Sequence, residues 1–483
     1  YAHPFFVNRR EKMDRISPDL EKNRQWVEET FQNCDDILHR QVFLNNGKDE
    51  GILVYVEVAV SNLMLEEHVI GLSDVQPLTT YEEGEAALLA GNGILFVQGD
   101  TCLYKISSKG YPGIGVSPAE SEKVMRGSRE GFTESEKINV ALIRKRIRDV
   151  RMKVEEQRIG VRSHTMTALV YMEDLIEPQI LRMIKDRMEQ YEIDGIMDSG
   201  MLEQLLEEHW MSPFPQFQTT ERPDRAASAV LEGRLILVTD HSPTVLLFPS
   251  NYNSFFQTSD DWYNRFETAS FARMIRFLAA IMAMCFPAVY VAATTWHTSL
   301  LPTKLVLSMA EARAGVPFPS LGEILLMEIS FELLREAGIR LPGPMGNTIG
   351  IVGGLIIGQA AVDANLVSPV VVIVVAFTAL CSFAIPNEEF ASAFRLLKYG
   401  CIFMGAWFGL YGILLSCLWV LIHLSHLNSF GIPYLYPYAA CVGSGQEEKK
   451  DSLIRYPFRQ LKYRPVFARR AEKIKLRKKD EDV

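Results

Sequence analysis

The 483-residue chain has no Cys-x-x-Cys pair. Its seven cysteines (Cys34, Cys102, Cys285, Cys381, Cys401, Cys417 and Cys441) are scattered, and four lie inside apolar stretches. That excludes a disulfide framework and a paired-thiol zinc site, and fits packing in a reducing compartment. The chain also lacks a Walker loop, G-x-G-x-x-G, G-x-S-x-G and H-E-x-x-H. Without these, no phosphate cradle, nucleophile elbow or metalloprotease helix is expected. Asp240-His241-Ser242 has the residue types of a catalytic triad, but neighbours along one turn cannot point at one another. His423 and His426 lie three apart on a helix with no accompanying carboxylate or cysteine pattern, so no metal site is expected. The reading is a non-enzyme with no cofactor.

A broad basic surface is missing too. Net charge is −9, and the segment from Gln446 to Val483 carries 13 Lys/Arg against 7 Asp/Glu, leaving −15 for the rest. This argues against nucleic acid as a partner. A basic tail after an apolar segment fits either an anionic lipid leaflet or a solvated terminus. The start, Tyr-Ala-His-Pro-Phe-Phe, shows neither the basic nor the apolar region of a signal peptide, and with no initiating Met the expectation is a trimmed chain.

Charge is nearly absent from four long stretches in the second half: Phe277–Trp296, Gly346–Val362, Ala364–Asn387 and Tyr399–Asn428. A helix needs about 20 apolar residues to cross ~30 Å of hydrocarbon. The first, third and fourth reach that length, so about four membrane spans are expected, with lipid as a partner. The second is short and glycine-rich. Gly350, Gly354, Gly358 and Val362 recur every four residues and share one helix face, a spacing that lets backbones approach closely in lipid. The adjacent ridge carries Gln359 and Asp363, followed by Asn365. Two readings stand: a tight packing face with a polar turn, or a water path with Val362 as an apolar constriction that gates by dewetting.

Between the first two stretches, Leu321–Ile339 reads as an amphipathic helix. Glu328, Glu332 and Arg335 lie on one face, with Glu332 and Arg335 at ion-pair spacing. Flanking prolines end it on both sides. It is expected to lie in the membrane interface or to line a polar vestibule. Four crossings place both soluble parts on one side, taken as cytoplasmic from the basic tail; a fifth would change that parity.

The first half is charge-rich. Glu21–His39 reads as a polar helix and Ile52–Val60 as a buried strand. A helix near Tyr81–Leu89 and a hairpin across Gly99-Asp100 follow. The order then repeats: strand Thr167–Met172, helices Pro178–Tyr191 and Gly200–His209, and strands Leu235–Thr239 and Thr244–Phe248 around Asp240-His241-Ser242-Pro243. The linker is 126–136 plus a charged helix Lys137–Gln157. The fold class is thus an α/β cytoplasmic region of two similar subdomains followed by an α-helical integral membrane domain. The units are 1–125, 126–272, 273–440 and a basic tail 441–483.

Five stretches together resemble the GerA family, the A subunits of spore germinant receptors. They are Arg126-Gly127-x-x-Glu130-Gly131-Phe132-x-Glu134, Ser212-Pro213-Phe214-Pro215-Gln216, Thr220-Glu221-Arg222-Pro223-Asp224, the run Glu323–Pro342, and Thr348–Val362. The resemblance covers about 90–440, and residues before 90 match only in pattern. Ser128-Arg129 departs from the family's usual Pro-Lys. The resemblance implies a protein of the spore inner membrane that works with a transporter-like B subunit and a lipoprotein C subunit. Nutrients are sensed chiefly by the B subunit. The A subunit is implied to form a homo-oligomeric ring that conducts monovalent cations and starts germination. The stage V sporulation AF group is a paralogue in the same family, but 429–435 and Asp260-Asp261-Trp262-Tyr263 are more similar to receptor A subunits.

In the channel reading Gly350, Gly354 and Gly358 pack protomers, Val362 is the gate, and Gln359, Asp363 and Asn365 supply polar lining. Glu328, Glu332 and Arg335 form a vestibule or hold their helix to a neighbour. A non-conducting scaffold is the alternative. A secondary transporter would need interrupted helices in both halves, and only one segment is so interrupted. Glu221, Arg222, Pro223 and Asp224 form a family motif in the soluble region.

Overall fold

The computed structural model describes residues 15–44, 49–60, 75–108, 110, 117–119, 122–340, 354, 356–439 and 449–476. Residues 15–250 form two sheets of the same design. The first unit holds α1 (Leu20–Thr30), β1 (Ile37–Leu44), β2 (Asp49–Val56), β3 (Val75–Leu78), α2 (Tyr81–Leu89), β4 (Gly93–Val97) and β5 (Leu103–Ile106). The second holds α3 (Glu136–Arg144), β6 (Met152–Ile159), β7 (Thr165–Met172), α4 (Pro178–Gln190), α5 (Ser199–Leu206), β8 (Gln218–Thr220), α6 (Pro223–Leu231), β9 (Leu235–Thr239) and β10 (Val245–Phe248). The strand orders are β1-β2-β4-β5-β3 and β6-β7-β9-β10-β8. Every named pairing is antiparallel, and the order by position is identical, so one unit occurs twice.

The central strands are the β-branched runs seen in the sequence. Ile52–Val56 and Leu235–Val238 are buried on both faces because helices and neighbouring segments cover them. The outer strands differ from expectation. The polar helix ends at Thr30 rather than His39, and Ile37–Leu44 is a strand along β2. The charged helix ends at Arg144 rather than Gln157, and Met152–Ile159 is a strand along β7. Both are outer strands with part-exposed middle residues, so their Glu, Gln and Arg residues look helical by composition.

The two units meet edge to edge. Cys34 bridges Val154 in parallel, with Asp35 N–H on Val154 O (2.9 Å) and Val154 N–H on Asn33 O (3.0 Å). Arg144, fully buried, grips Asp36 through two bonds of 2.8 and 2.7 Å and also donates to Met152 O at 2.9 Å. A planar guanidinium suits this bidentate buried contact.

Glu136, the first residue of α3, is 1% exposed, and neither carboxylate oxygen has a hydrogen-bond partner. Burial, then the charges of Glu156 and Asp240, push its carboxyl up to about 8. The unfolded chain releases that proton near 4.5. Its stability contribution is therefore whole below about 4.5 and lost as pH rises through about 8, at up to ~1.4 kcal/mol per pH unit. Glu136→Gln should flatten that slope. Thermal midpoints of the detergent-solubilised chain at pH 5 and 8 test this; parallel profiles for the two proteins would refute the buried neutral carboxyl.

After a five-residue helix α7 (Ser259–Tyr263) comes a bundle: α8 (Phe266–Thr295), α9 (Thr303–Arg313), α10 (Ser320–Arg340), α11 (described at 354 and 356–363), α12 (Pro369–Phe383) and α13 (Glu388–His426). α8, and the 39-residue run of α13 taken end to end, are long and apolar enough to cross a membrane. α12 is shorter than the expected Ala364–Asn387 span, because Ser368-Pro369 starts it and Ala384 ends it. Much of the glycine-rich stretch, Gly350 included, lies outside the described residues.

α13 is two arms, 388–408 and 410–426, that fold back at Gly409, whose φ of 61° and ψ of −145° are non-helical. Two contacts prove the reversal. Cys285 touches both Cys401 and Cys417, which would stand ~24 Å apart on a straight helix. The Phe214 ring lies 5.6 Å from Phe394 and 6.2 Å from His423, which a straight helix would separate by ~43 Å. The expected single segment Tyr399–Asn428 is therefore a hairpin. Trp296 Nε1 donates to Ala406 O at 2.7 Å beside the tip.

α10 also runs along the bundle rather than across its end. Ser320 meets Thr294 (3.0 Å) at the end distant from the sheets, and Arg335 meets Glu388 (3.0 Å) at the near end. α12 starts distally, where Glu323 Oε2 accepts its Ser368 N–H at 2.8 Å, and descends to Cys381 beside Ala279 and Ala283. Among the described residues six segments alternate in direction, α8, α10, α11, α12 and the two arms of α13, and the last arm returns to the sheets at His423. There the basic tail packs as an ordered strap: Ala468 bridges Ile176, Phe467 enters the core of the second unit, and Asp451 joins α8. Over the described residues 449–476 this strap is held against the second sheet unit and α8.

Candidate functional site

Three joints and one seam connect the sheets to the bundle. The first joint is Ser212–Gln216. Phe214 is buried among Phe390, Phe394 and His423. Around it, Ser212 Oγ and His423 Nε2 lie 2.9 Å apart, Tyr434 OH donates to Pro215 O (2.8 Å), and Ser429 Oγ donates to Gln216 O (3.1 Å). Two prolines fix the backbone on either side of the ring. One phenylalanine from the second sheet unit thereby touches both arms of the hairpin. Phe255 stacks on Phe390 at 4.9 Å and Phe256 on Phe277 at 3.9 Å, extending the contact to α8.

The second joint is the 221–224 motif. Pro223 opens α6 at a position where a missing N–H costs nothing. Glu221 O accepts Phe132 N–H at 2.8 Å. Arg222, 2% exposed, donates to Ser128 O (2.9 Å), Glu122 O (3.3 Å) and Asp224 Oδ2 (2.7 Å). Tyr263 OH donates to the same Asp224 oxygen at 2.5 Å. Burial works against the Asp224 carboxylate, but the bonds from Arg222 and Tyr263 outweigh it and hold its carboxyl below the usual range. Burial and that same bond push the Tyr263 phenol up to about 12. The motif is a clamp binding the linker, α6 and α7.

The third joint was missed in the sequence. Arg273 is fully buried at the root of α8. Its Nε lies 3.3 Å from Asp261 Oδ2, and its Nη1 lies 2.9 Å from Asp451 Oδ1 and donates to Ser452 O at 2.9 Å. Arg276 Nη1 holds the same Asp261 at 2.9 Å. The available signal was two arginines just before a charge-free run, where unpaired charge would be costly to bury.

The seam lies inside the bundle. Lys398 Nζ meets Glu328 Oε2 at 2.6 Å, with both side chains almost wholly buried. Nearby, Arg335 pairs with Glu332 and with Glu388 (3.0 Å), and Arg395 with Glu388 (2.9 Å). Sequence spacing exposed only the Glu332–Arg335 pair; Lys398, Arg395 and Glu388 come from α13. The structure therefore brings Glu328, Glu332 and Arg335 together as a helix-to-helix contact.

The glycine helix is placed differently. A Cβ on Gly354 would meet Leu334 of α10 at 3.6 Å, and one on Gly358 would meet Val372 of α12 at 3.3 Å. These two glycines close α11 against its own chain, where the sequence suggested contact between protomers. Val362 is half-buried against the bundle core. Gln359, Asp363 and Asn365 are exposed, and Asn365 turns the chain with φ 53° beside Gly315. Gly350 lies outside the described residues. Among the described residues no group of three His, Cys, Asp or Glu side chains is arranged to hold a metal. His423 faces Ser212, and His426 Nδ1 lies 2.9 Å from Ile422 O.

This is a duplicated α/β unit clamped onto a bundle of apolar helices. The chain belongs to the GerA family: the model of the Bacillus/Clostridium GerA spore germination protein matches residues 25–467, more than the 90–440 of the motif resemblance. Spore germination protein KA of Bacillus subtilis (strain 168) is 35% identical over 486 residues, 95% of this chain and 88% of that protein. Spore germination protein GerLA of Bacillus cereus is 38% identical over 411 residues, 85% and 83% of the two chains. An uncharacterized membrane protein of Bacillus subtilis (strain 168), YfkQ, is 36% identical over 472 residues, 93% and 91%. Among solved structures, the N-terminal domain of the A subunit of the Bacillus megaterium spore germinant receptor GerK3 is similar. Its TM-score is 0.40 and its identity 24%, covering 50% of this chain and 99% of that one.

Proposed function

We propose that this protein is the A subunit of a spore germinant receptor. It crosses the spore inner membrane through its helical bundle, keeps both ends and the paired sheets in the cytoplasm, and oligomerises around a cation path that opens during germination. Its partners in this reading are further copies of itself, a transporter-like B subunit and a lipoprotein C subunit. One observation carries it. The inward side of α11 is closed by Gly354 and Gly358, while Gln359 and Asp363 stand exposed, four residues apart on one ridge. Asp363 ends α11 at the distal side, where interfacial water reaches it, and Gln359 stands one turn deeper on the same ridge. A polar side chain at that depth favours water or another subunit over acyl chains, and a ring with a wet centre supplies both. In this reading Val362, half-buried against the bundle core on the glycine side of α11, supplies the apolar constriction where it borders the ridge.

Val362→Ala should widen the constriction. Spores carrying it should leak monovalent cations and germinate at lower nutrient doses, read by ion release and a germination dose curve. Unchanged dormancy and dose response would refute the gate. The closed seam Glu328–Lys398 and the intrachain use of the glycines favour a second reading, a non-conducting scaffold that relays the B subunit's state. In that case Val362→Ala changes assembly at most, and another protein carries the ions.

A further inference from the structure

The strap 451–462 packs against the root of α8 with an inner and an outer side. Inward, Ser452 and Arg455 are 4% and 3% exposed. Arg455 N–H donates to Ser270 Oγ (3.1 Å), Ser270 Oγ donates to Arg455 O (3.0 Å), and Arg455 Nη1 donates to Asn264 O (3.1 Å). The Arg455 guanidinium lies over Trp262 and Phe458 at 5.3 and 5.1 Å, and Lys475 lies over Trp262 at 5.3 Å. The backbone is thus fixed at one height on α8. Outward, the strap turns Leu453, Ile454, Tyr456 and Phe458 into the open.

A packed polar anchor beneath four exposed large apolar side chains is not how a soluble surface is built. The same height on α8 shows Phe271, Met274 and Ile275 exposed, and this apolar strip continues without a break to Leu278 and Ile281 of the charge-free run. Arg459, Lys462 and Arg265 are exposed around the patch, and Glu267 is exposed among the described acids beside them. Aromatic and aliphatic side chains edged by Lys and Arg match the boundary between acyl chains and anionic headgroups.

We infer that residues 453–462 are an interfacial anchor that seats the root of α8 in an anionic lipid leaflet. Leu453, Ile454, Tyr456 and Phe458 enter the headgroup region, while Arg459 and Lys462 meet lipid phosphates. The anchor rests on the membrane-spanning reading above. It gives that reading a consequence: through Asp451 and Arg273, lipid contact with the strap bears directly on the first helix of the bundle.

The test places one photoreactive benzoylphenylalanine at Leu278, Ile454, Phe458 or Phe43 of the full-length chain. Each protein is reconstituted in vesicles of phosphatidylcholine alone or with phosphatidylglycerol added. Lipid adducts on the labelled peptide are read by mass spectrometry. Positions 278, 454 and 458 should capture lipid, and Phe43, exposed on β1 of the first sheet, should not. Adding the anionic lipid should raise capture at 454 and 458, and Arg459→Gln with Lys462→Gln should remove that gain, roughly fivefold per basic residue. Absence of lipid at 278 would overturn the membrane-spanning reading. Lipid at 278 with none at 454 and 458, a crosslinked second copy at 458, or equal capture in both vesicles would overturn the anchor alone.

Discussion

Gly409→Ala should destabilise the protein by at least ~2 kcal/mol, although it replaces glycine within a long apolar helical segment. In a continuous helix the same change would stabilise by roughly 0.5–1 kcal/mol, because alanine loses less backbone freedom on folding. The sign therefore distinguishes a straight α13 from a hairpin. Gly409 has φ 61° and ψ −145°, near a region open essentially to glycine alone, where strain costs about 1–3 kcal/mol. A Cβ there would also stand 2.5 Å from His297 Cε1 and 3.3 Å from Trp296 Cβ. Those residues cap the distal end of α8, and Trp296 satisfies the Ala406 carbonyl at the turn, so neither moves freely. Gly412→Ala should behave alike, since its Cβ would collide with the Met404 carbonyl on the opposite arm. Thermal midpoints in detergent decide the matter; a higher midpoint for Gly409→Ala would rule out the reversal. The hairpin matters because it returns His423 to Phe214. A straight helix would leave the second arm with no contact to the sheets.

The duplicated design was legible because turn residues and β-branched runs recur in the same order. The outer strands β1 and β6 were not, because their part-exposed middle residues are those of a surface helix. The hairpin was hidden for a different reason. Lipid-compatible helices have no polar punctuation, so Gly409 sits in the charge-free run 399–428 like any packing glycine. The partners of Glu328 were equally silent: Lys398 is 70 residues away, and periodicity reports only neighbours on one helix. For the tail, composition counted charges without showing that Asp451 and Arg455 are used internally. The quoted family motifs mark structural joints: Ser212–Gln216 holds the hairpin, and 221–224 clamps the linker to α7. For the ridge Gln359–Asp363, the sequence named the residues, and the fold adds that they face outward.

Asp261→Asn should cost about 3–5 kcal/mol, the range for breaking a buried charge pair and leaving its partner uncompensated. Asp261 is 1% exposed and is shared by Arg273, fully buried, and Arg276. Removing its charge leaves two guanidiniums at the root of α8, with Asp451 the remaining carboxylate on Arg273. Arg273→Met should cost less, because Asp261 keeps Arg276 and the methionine fills part of the space. The double variant should fall well short of the two single losses added together, since the second substitution removes a charge already stranded by the first. Additive losses in a denaturation series of the four proteins would show that these groups do not act as one joint. The same cycle bears on signalling. Asp261 belongs to α7, which Tyr263 ties to Asp224 of the family motif, and Asp451 belongs to the strap. A change in the sheets, in the strap or in α8 therefore reaches one shared, largely buried cluster of two acids and two arginines. If that cluster is the relay, Asp261→Asn spores with normal amounts of receptor should respond to nutrient more weakly than their loss of stability alone explains, whereas Glu136→Gln spores, altered far from this joint, should respond normally.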